Sequence, residues 1–360
     1  MTETMLTIEM ANTLTDWYRK NKRDLPWRNT GNPYDVWLSE IMLQQTRVEA
    51  VLPRFIAFRR ALPDIAALAA CPEDELMKLW EGMGYYSRAR NLQKCAVLVR
   101  DRYQGTLPAD PLELKKLPGI GDYTAGAVAA IAYGLSVPAV DGNVLRVMAR
   151  LFSIREDIRH PETRSRISSL IAGLYERHPD LSGSWISDFT QGLMELGALV
   201  CIPNGAPLCT SCPLQPVCQA NKNHETAVIP FRSKQKSRRV IPMTVLVIRA
   251  GDRFVIRRRP SDGLLAGLYE FINLDGHLAP DEVITALERQ QIRVLHIRSL
   301  PSAKHIFTHR EWDMTGYEIM IDPEQTIPEN WQAVTEKELK SLPVPSAFDA
   351  YMNCYDLRES

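Results

Sequence analysis

The pattern of apolar and polar residues divides the chain into a helical part and a part rich in strands. Over the first 200 residues, apolar side chains recur at spacings of three and four, the period of an amphipathic helix. No strand pattern interrupts them, so this part should be an all-α domain. The spacing predicts helices over roughly 5–20, 34–60, 73–80, 85–102, 122–133, 143–154, 162–178 and 185–200.

From Ile241 the pattern changes to short runs rich in β-branched and aromatic residues, namely IPMTVLVIRA, RFVIRRR, GLYEFINL and MTGYEIMI. These runs predict strands of an α+β domain. The segment 221–240 lacks apolar periodicity and contains RSKQKSRR, so it is best interpreted as a solvated linker, with nucleic-acid contact as the alternative. We therefore predict a multi-domain protein with an all-α domain over 1–220, a basic linker over 221–240 and an α+β domain over 241–360.

Composition and charge agree with two globular domains. The chain has 360 residues, of which 45% are hydrophobic and 24% charged, and its formal net charge is zero. The linker holds six basic residues and one acidic residue, so a neutral total does not exclude a basic face. The chain start has no basic segment followed by an apolar run, and no stretch is long and apolar enough to span a membrane. We expect a cytoplasmic protein with no membrane contact.

The run LPGIGDYTAG precedes an apolar helix and suggests a phosphate-binding hairpin. Gly119 and Gly121 permit positive φ, so backbone N–H groups near Leu117 could converge on a phosphate at a helix N-terminus. The following apolar run, 125–140, is too short to cross a bilayer and predicts a buried helix. An ordinary helix-loop-helix turn is the alternative.

Four of the seven cysteines lie close together, and this clustering indicates a metal site. Structural zinc usually takes two short cysteine pairs that are far apart, whereas a single loop can wrap an iron–sulfur cube. The spacing therefore favours iron–sulfur, with zinc as the alternative. The isolated Cys71, Cys95 and Cys354 should be core residues. The clustered residues are Cys201, Cys209, Cys212 and Cys218.

Two carboxylates are candidates for acid–base chemistry. Glu40 lies among apolar residues in VWLSEIMLQQT, where burial would raise its pKa and retain a proton. Asp141 in VDGN is at the position of a helix N-cap and should stay ionised. A surface glutamate and a purely capping aspartate are the alternatives. One protonated and one ionised acid form the pair that cleaves a glycosidic bond.

Taken in order, LPGIGDYTAGAV, VDGNVLRV, VWLSEIMLQQT, GMGYYSRARNL and the cysteine loop resemble the MutY family of adenine DNA glycosylases, in the helix-hairpin-helix superfamily. The resemblance covers nearly the whole chain. It implies a helix-hairpin-helix domain with a [4Fe-4S] loop and a Nudix-like second domain. It also implies a nucleoid-associated enzyme of base excision repair that acts on double-stranded DNA containing A:8-oxoguanine or A:G mispairs. A monomer is expected because no segment has a sustained heptad pattern.

The resemblance assigns roles to individual residues of the helical part. Glu40 matches the general acid that protonates the extruded adenine, and Asp141 matches the carboxylate that stabilises the cationic sugar. Asn143 matches a residue that supports Asp141, with a helix-start hydrogen bond as the alternative. Tyr123 stands where the endonuclease III relatives have a Schiff-base lysine, which argues against strand cutting. Further matches are Arg28 and Gln191 as adenine contacts, and Gln45 and Tyr85 as residues that fill the opened stack.

The second domain resembles a lesion-recognition domain, in which Phe307, Thr308 and His309 match the loop that reads 8-oxoguanine. The family pattern has serine where this chain has Thr308, so the hydroxyl is kept and a methyl group is added. No cluster of acids that could hold magnesium follows Glu270, which predicts a reader and not a second enzyme.

The cysteine loop also departs from the family pattern. Seven residues separate Cys201 from Cys209, where the family has six, and none of the seven is basic. An endonuclease III-like glycosylase with lyase activity and a non-enzymatic iron–sulfur protein that binds DNA are the alternative functions.

Overall fold

The computed structural model describes residues 5–28, 30–233 and 237–357, and these residues form two compact units. The helical unit takes in the described residues before 71 and those from 90 to 233. The sheet unit takes in 71–89 and 237–357. Sequence patterning had grouped 71–89 with the helical part. Part of the basic tract RSKQKSRR, 234–236, lies outside the described residues.

The first 222 residues contain helices and no strand in the described part. The predicted helix over 34–60 is wrong, because the chain breaks after Met42 and Gln45 has a φ of 60°. Three short helices, over 65–70, 111–114 and 219–222, are absent from the predicted set. The helices are α1 (Ile8–Asn21), α2 (Pro33–Met42), α3 (Val48–Ala61), α4 (Ile65–Ala70), α5 (Glu73–Leu79), α6 (Ser87–Arg102), α7 (Pro111–Leu114), α8 (Asp122–Tyr133), α9 (Gly142–Leu151), α10 (Pro161–Arg177), α11 (Gly183–Leu199) and α12 (Gln219–Lys222).

The hairpin before α8 has one glycine in the left-handed region. Gly119 has a φ of 77°, as predicted, but Gly121 has an extended backbone with a φ of −96° and caps the helix. The predicted helical run 125–140 ends at Tyr133, because Gly134 takes a left-handed C-cap with a φ of 65°. The chain then turns and enters α9 at Asp141.

The core of the helical unit lies between α1, α9, α10 and α11, and residues from the cysteine loop contribute to it. Leu14, Met148, Ile171 and Phe189 are buried there, and Leu214 from the cysteine loop packs with them. The loop is therefore part of the packed unit. Cys71 and Cys95 are buried as predicted, but Cys354 is exposed, so its assignment to the core is wrong.

The sheet unit contains a six-stranded mixed sheet in the order β4-β5-β1-β3-β2-β6. β1 and β5 pair in parallel and the other pairs are antiparallel. The edge strand β4 is not predicted from the apolar pattern, because its residues are half-buried or exposed. The strand β6 is not predicted because it has only four residues. The elements are β1 (Arg239–Ala250), β2 (Arg253–Arg258), β3 (Tyr269–Asp275), α13 (Pro280–Glu288), β4 (Val294–Ile306), β5 (Arg310–Ile321), β6 (Trp331–Val334), α14 (Glu336–Ser341) and α15 (Asp349–Met352).

Side chains of β1 alternate between the two faces of the sheet, and each face carries its own buried apolar cluster. Val245 and Val247 pack in one buried cluster with Phe348, whereas Leu246 and Ile248 pack in a second cluster. Successive side chains of a strand point to opposite faces, so one apolar run supplies both cores. None of the described helices combines the length and the apolar character needed to cross a membrane.

We expect Gly134→Ala to destabilise the helical unit more than Gly105→Ala. Both glycines have positive φ, but a Cβ on Gly134 would lie 2.4 Å from the Cα of Gly183, whereas nothing lies within 4 Å at Gly105. Backbone strain is common to both variants, and the clash should add about 1–3 kcal/mol. Urea unfolding followed by circular dichroism measures the difference. Equal losses of stability would show that the close approach of Gly134 to Gly183 is unimportant.

Candidate active site

The helical unit contains a cleft of about 980 Å³ that gathers half of the predicted site residues. Its walls come from α2, α8, α9 and α11, from the hairpin before α8, and from residues 203–204 of the cysteine loop. The two candidate carboxylates line this one cleft. The predicted residues that line it are Arg28, Glu40, Gln45, Gly119, Gly121, Tyr123, Asp141, Asn143 and Gln191.

Glu40 is held in a desolvated position. It lies in α2, whose residues are buried over 34–42, and is 7% exposed. Burial raises the pKa of Glu40 to about 7, although the hydroxyl of Tyr123 donates a hydrogen bond to Oε2, which acts in the opposite direction. The charge of Asp141 adds to the increase and that of Arg28 opposes it. Glu40 can therefore hold a transferable proton near neutral pH.

Asp141 caps α9 and faces the same cleft. Its Oδ1 accepts a hydrogen bond from the backbone N–H of Val144 at 2.7 Å, and its Oδ2 accepts one from Nδ2 of Asn143 at 2.7 Å. Burial raises the pKa of Asp141 above its ordinary value, and these donors and the charge of Arg146 offset only part of that increase. The predicted capping is confirmed, and it is compatible with a chemical role because the cap is in the cleft wall.

Arg146 connects this cap to the cysteine loop. Its Nη2 donates to Oδ1 of Asn143 at 2.8 Å and to the carbonyl oxygen of Gly197 at 2.7 Å. Its Nε donates to the carbonyl oxygen of Cys201 at 2.7 Å. A continuous set of hydrogen bonds thus runs from Cys201 through Arg146 and Asn143 to Asp141.

The four clustered cysteines line one cavity with apolar walls from α9 and α11. Nη1 of Arg150 lies 3.3 Å from Sγ of Cys201, so a positive charge faces the sulfurs. Among residues 5–28, 30–233 and 237–357, no three His, Cys, Asp or Glu side chains are grouped closely enough for one metal ion. Four thiol side chains around one cavity are the donor set that a bound iron–sulfur cluster would require.

Arg28 and Gln191 are both engaged within the cleft wall. The guanidinium of Arg28, whose side chain is 8% exposed, forms a two-point ion pair with Glu195. Nε2 of Gln191 donates to the hydroxyl of Ser187 at 3.2 Å. Both residues nevertheless line the cleft.

Two further predicted residues of the helical unit differ in exposure. Gln45 is exposed in the left-handed region between α2 and α3. Leu117 is buried and does not line the cleft; its N–H donates to Leu114 and its carbonyl accepts from Ile120.

The remaining predicted residues lie in the sheet unit. Phe307, Thr308 and His309 form the turn between β4 and β5, and Phe307 packs edge-on against Trp312. Tyr85 is 43% exposed, has a φ of 47°, and its hydroxyl is hydrogen-bonded to that of Thr308. A residue without glycine's freedom in this region of φ is strained, which is common at functional positions.

Sequence reasoning missed Glu195, Arg146 and Arg150. A signal was present, because Arg146 and Arg150 are four apart in the otherwise apolar run VLRVMARL, and Glu195 follows Gln191 by one helical turn. A charged residue repeated on an apolar helix face often indicates a buried polar network.

Comparison with known proteins bears on both units. A profile described as "HhH-GPD superfamily base excision DNA repair protein" matches residues 38–172, and a NUDIX domain profile matches 244–353. An adenine DNA glycosylase of Buchnera aphidicola is 29% identical over 95% of both chains. The adenine DNA glycosylase of Homo sapiens is 30% identical over 95% of this chain and 73% of its own length. A thermostable thymine-DNA glycosylase of known structure is 27% identical with a TM-score of 0.52, covering 60% of this chain and 96% of its own.

The wild-type chain should lose stability as the pH rises from 4.5 to 7. We expect this loss to be smaller in Glu40→Gln. The pKa of Glu40 is about 7 in the fold and near 4.5 when unfolded, so the folded chain binds more protons in this window. The free energy of unfolding therefore falls as pH rises, by on the order of 3 kcal/mol from this group. Urea unfolding at several pH values measures it. Glu176→Gln, at an exposed site of α10, should keep the wild-type slope, and parallel curves for the wild type and Glu40→Gln would contradict the assignment.

Proposed function

This chain belongs to the adenine DNA glycosylase family, and we propose that it removes adenine paired with 8-oxoguanine or guanine from double-stranded DNA. As a family member it is a monofunctional glycosylase of base excision repair, which hydrolyses an N-glycosyl bond. The specificity for the opposite base and the roles of individual residues are the proposal. The observation that carries it is the meeting of Glu40, with its raised pKa, and Asp141 in one cleft.

Glu40 acts as the general acid. Its proton goes to a ring nitrogen of the extruded adenine, which makes the base a neutral leaving group as the bond to C1′ breaks. Tyr123 donates to one oxygen of Glu40 and so orients the carboxyl. A phenol has no amine with which to form an imine, so the strand is left intact.

Asp141 stabilises the positive charge that develops on the sugar before water adds to C1′. The hydrogen bonds from Asn143 and Val144 favour its ionised form and fix its direction. Gly119 and Gly121 lie at the same cleft, beside the N-terminus of α8, where backbone N–H groups suit a DNA phosphate. Leu117 is buried and its N–H is already bonded to Leu114, so it would support the hairpin and would not bind the phosphate itself.

Adenine recognition falls to Arg28 and Gln191, whose guanidinium and amide groups can meet ring nitrogens and the N6 amino group. Gln45 and Tyr85 fill the space that the extruded nucleotide leaves in the stack. Both residues are exposed, so their side chains are accessible to DNA, which supports this role.

The turn between β4 and β5 reads the base opposite adenine through Phe307, Thr308 and His309. The second domain has no hydrolase role in this proposal. Glu270, its buried acid, is ion-paired with Arg257 and Arg259 through its two oxygens, which supports a structural function and not magnesium binding.

Cys201, Cys209, Cys212 and Cys218 hold a [4Fe-4S] cluster. Such a cluster, when bound, cross-links the loop through iron–thiolate bonds. Arg150 is placed to offset the negative charge of the thiolates, and Arg146 ties the loop to Asn143. Folding of this loop and positioning of Asp141 are therefore linked.

We expect adenine release to be fastest opposite 8-oxoguanine, slower opposite guanine and negligible opposite thymine, measured in single turnovers on duplexes that differ only there. Glu40→Gln should lose about 10²–10⁴-fold in rate, because it cannot donate the proton. Thr308→Ala should reduce the preference for 8-oxoguanine over guanine. Thr285→Ala, at an exposed site of α13, is the control. Equal rates opposite thymine and 8-oxoguanine would refute the specificity.

We expect the purified chain to contain about four iron atoms and a broad visible absorbance. Cys212→Ser should lower the iron content and the thermal stability, because one ligand is lost from the packed loop. Cys354→Ser, exposed and outside the cavity, should leave both unchanged. Zinc in place of iron, or full iron content in Cys212→Ser, would contradict the assignment.

A further inference from the structure

Glu195, in α11, binds two arginines at once in the cleft wall. Its side chain is 1% exposed. Arg28 donates from Nη1 to Oε1 at 2.9 Å and from Nη2 to Oε2 at 2.7 Å. Arg23 donates from Nε to Oε1 at 3.0 Å and from Nη2 to Oε2 at 2.7 Å. One carboxylate thus accepts two fork-shaped pairs, an arrangement that fixes the direction of both guanidinium groups.

The backbone adds to this fixation. The N–H of Arg23 donates to Oε1 of Glu195 at 2.9 Å, and Nη1 of Arg28 donates to the carbonyl oxygen of Arg23 at 3.0 Å. The guanidinium of Arg28 also stacks over the ring of Tyr18, 5.5 Å from its centroid. Arg28 is therefore held on several sides, and most of its donors are already used within the protein.

The charges of this group reach the proposed proton donor. Arg28 acts electrostatically on Glu40 and favours its ionised form. Burial tends to raise the pKa of Glu195, but hydrogen bonds from Arg28 and Arg23 outweigh burial and lower it to about 2. Glu195 thus stays negative at working pH. Without it, two unbalanced guanidinium groups would remain in the cleft wall.

We propose that Glu195 is a positioning residue, which fixes Arg28 in the cleft wall and offsets its charge beside Glu40 so that the acid keeps its proton. The inference rests on the proposed role of Glu40 and adds a determinant of that role. It explains why a positively charged adenine contact can lie near a carboxyl that has to stay neutral: the contact carries its own counter-charge.

Other charged groups also face Glu40 and contribute to its titration. Tyr123 on α8 and Asp141 at the start of α9 act on it directly. Further ionisable groups line the same cleft from the N-cap and first turn of α3, from the start of α8 and from α10; they are Arg47, Glu49, Asp122 and Arg164. These groups are common to all the variants below, so a difference between variants reports on Glu195.

The test is the pH dependence of single-turnover adenine release on a saturated A:8-oxoguanine duplex. In the wild type the rate should fall as pH rises through the pKa of Glu40. Glu195→Gln keeps the shape but removes the charge, so this fall should move to lower pH by on the order of one unit. Glu195→Asp keeps the charge, so its fall should stay at the wild-type pH even if its rate is lower.

The matched control is Asp35→Asn. Asp35 is a buried carboxylate in the same unit, 9% exposed in its side chain and ion-paired with Arg59, but it does not line the cleft. Asp35→Asn should lower the melting temperature without moving the pH of the fall. An unmoved fall in Glu195→Gln, or an equal movement in Asp35→Asn, would overturn the inference.

Failure of the inference can be told apart from failure of the proposed function. Wild-type adenine release by Glu40→Gln would refute the proposed proton donor itself. An inactive Glu40→Gln together with an unmoved pH profile in Glu195→Gln would refute only the role of Glu195.

A second variant covers the case in which Glu195→Gln does not fold. Arg23→Gln removes the more exposed of the two guanidinium groups, since the side chain of Arg23 is 30% exposed. The negative charge of Glu195 is then balanced by Arg28 alone. The fall in rate should then move to higher pH. A fall at or below the wild-type pH would overturn the inference.

Discussion

Desolvation of one carboxyl group is the constraint on which the site depends. Glu40 lies inside a helix whose neighbouring residues are buried, and burial raises its pKa to about 7. Water would restore an ordinary value, and the group would then have no proton to give at neutral pH. The packing of α2 against α8 is thus part of the chemistry, because it brings Tyr123 to Glu40 and excludes solvent from the carboxyl.

Helix α9 joins two functions that are separate in the sequence. Its first residues fix Asp141 through the cap, and its later arginines hold the backbone of the cysteine loop. Arg146 and Arg150 are buried, and their hydrogen bonds to loop carbonyls offset the cost of desolvation. Loss of order in the cysteine loop would therefore disturb the position of Asp141, because Arg146 and Asn143 connect the two by hydrogen bonds.

Glu40, Asp141 and Arg28 line one cleft, although each of these groups requires a different electrostatic environment. A neutral Glu40 needs few positive charges nearby and an ionised Asp141 needs donors, yet the guanidinium of Arg28 lines the same cleft. The structure meets these requirements by local pairing: Asp141 is bonded to Asn143 and Val144, and Arg28 to Glu195. The sheet unit has a comparable device, since buried Glu270 is matched by two arginines.

Short-range periodicity and motif spacing encode the helical and sheet units, the hairpin before α8, the four clustered cysteines and the pair Glu40 and Asp141, so the sequence alone predicts them. It did not show the break at Gln45, the exposed edge strand β4 or the packing of 71–89 with the sheet unit. The partners of Arg146 and Glu195 are known only from the folded chain. Such pairs depend on which helices meet, and the contacts that join residues 28 and 195 are fixed by packing of the whole unit and not by local pattern.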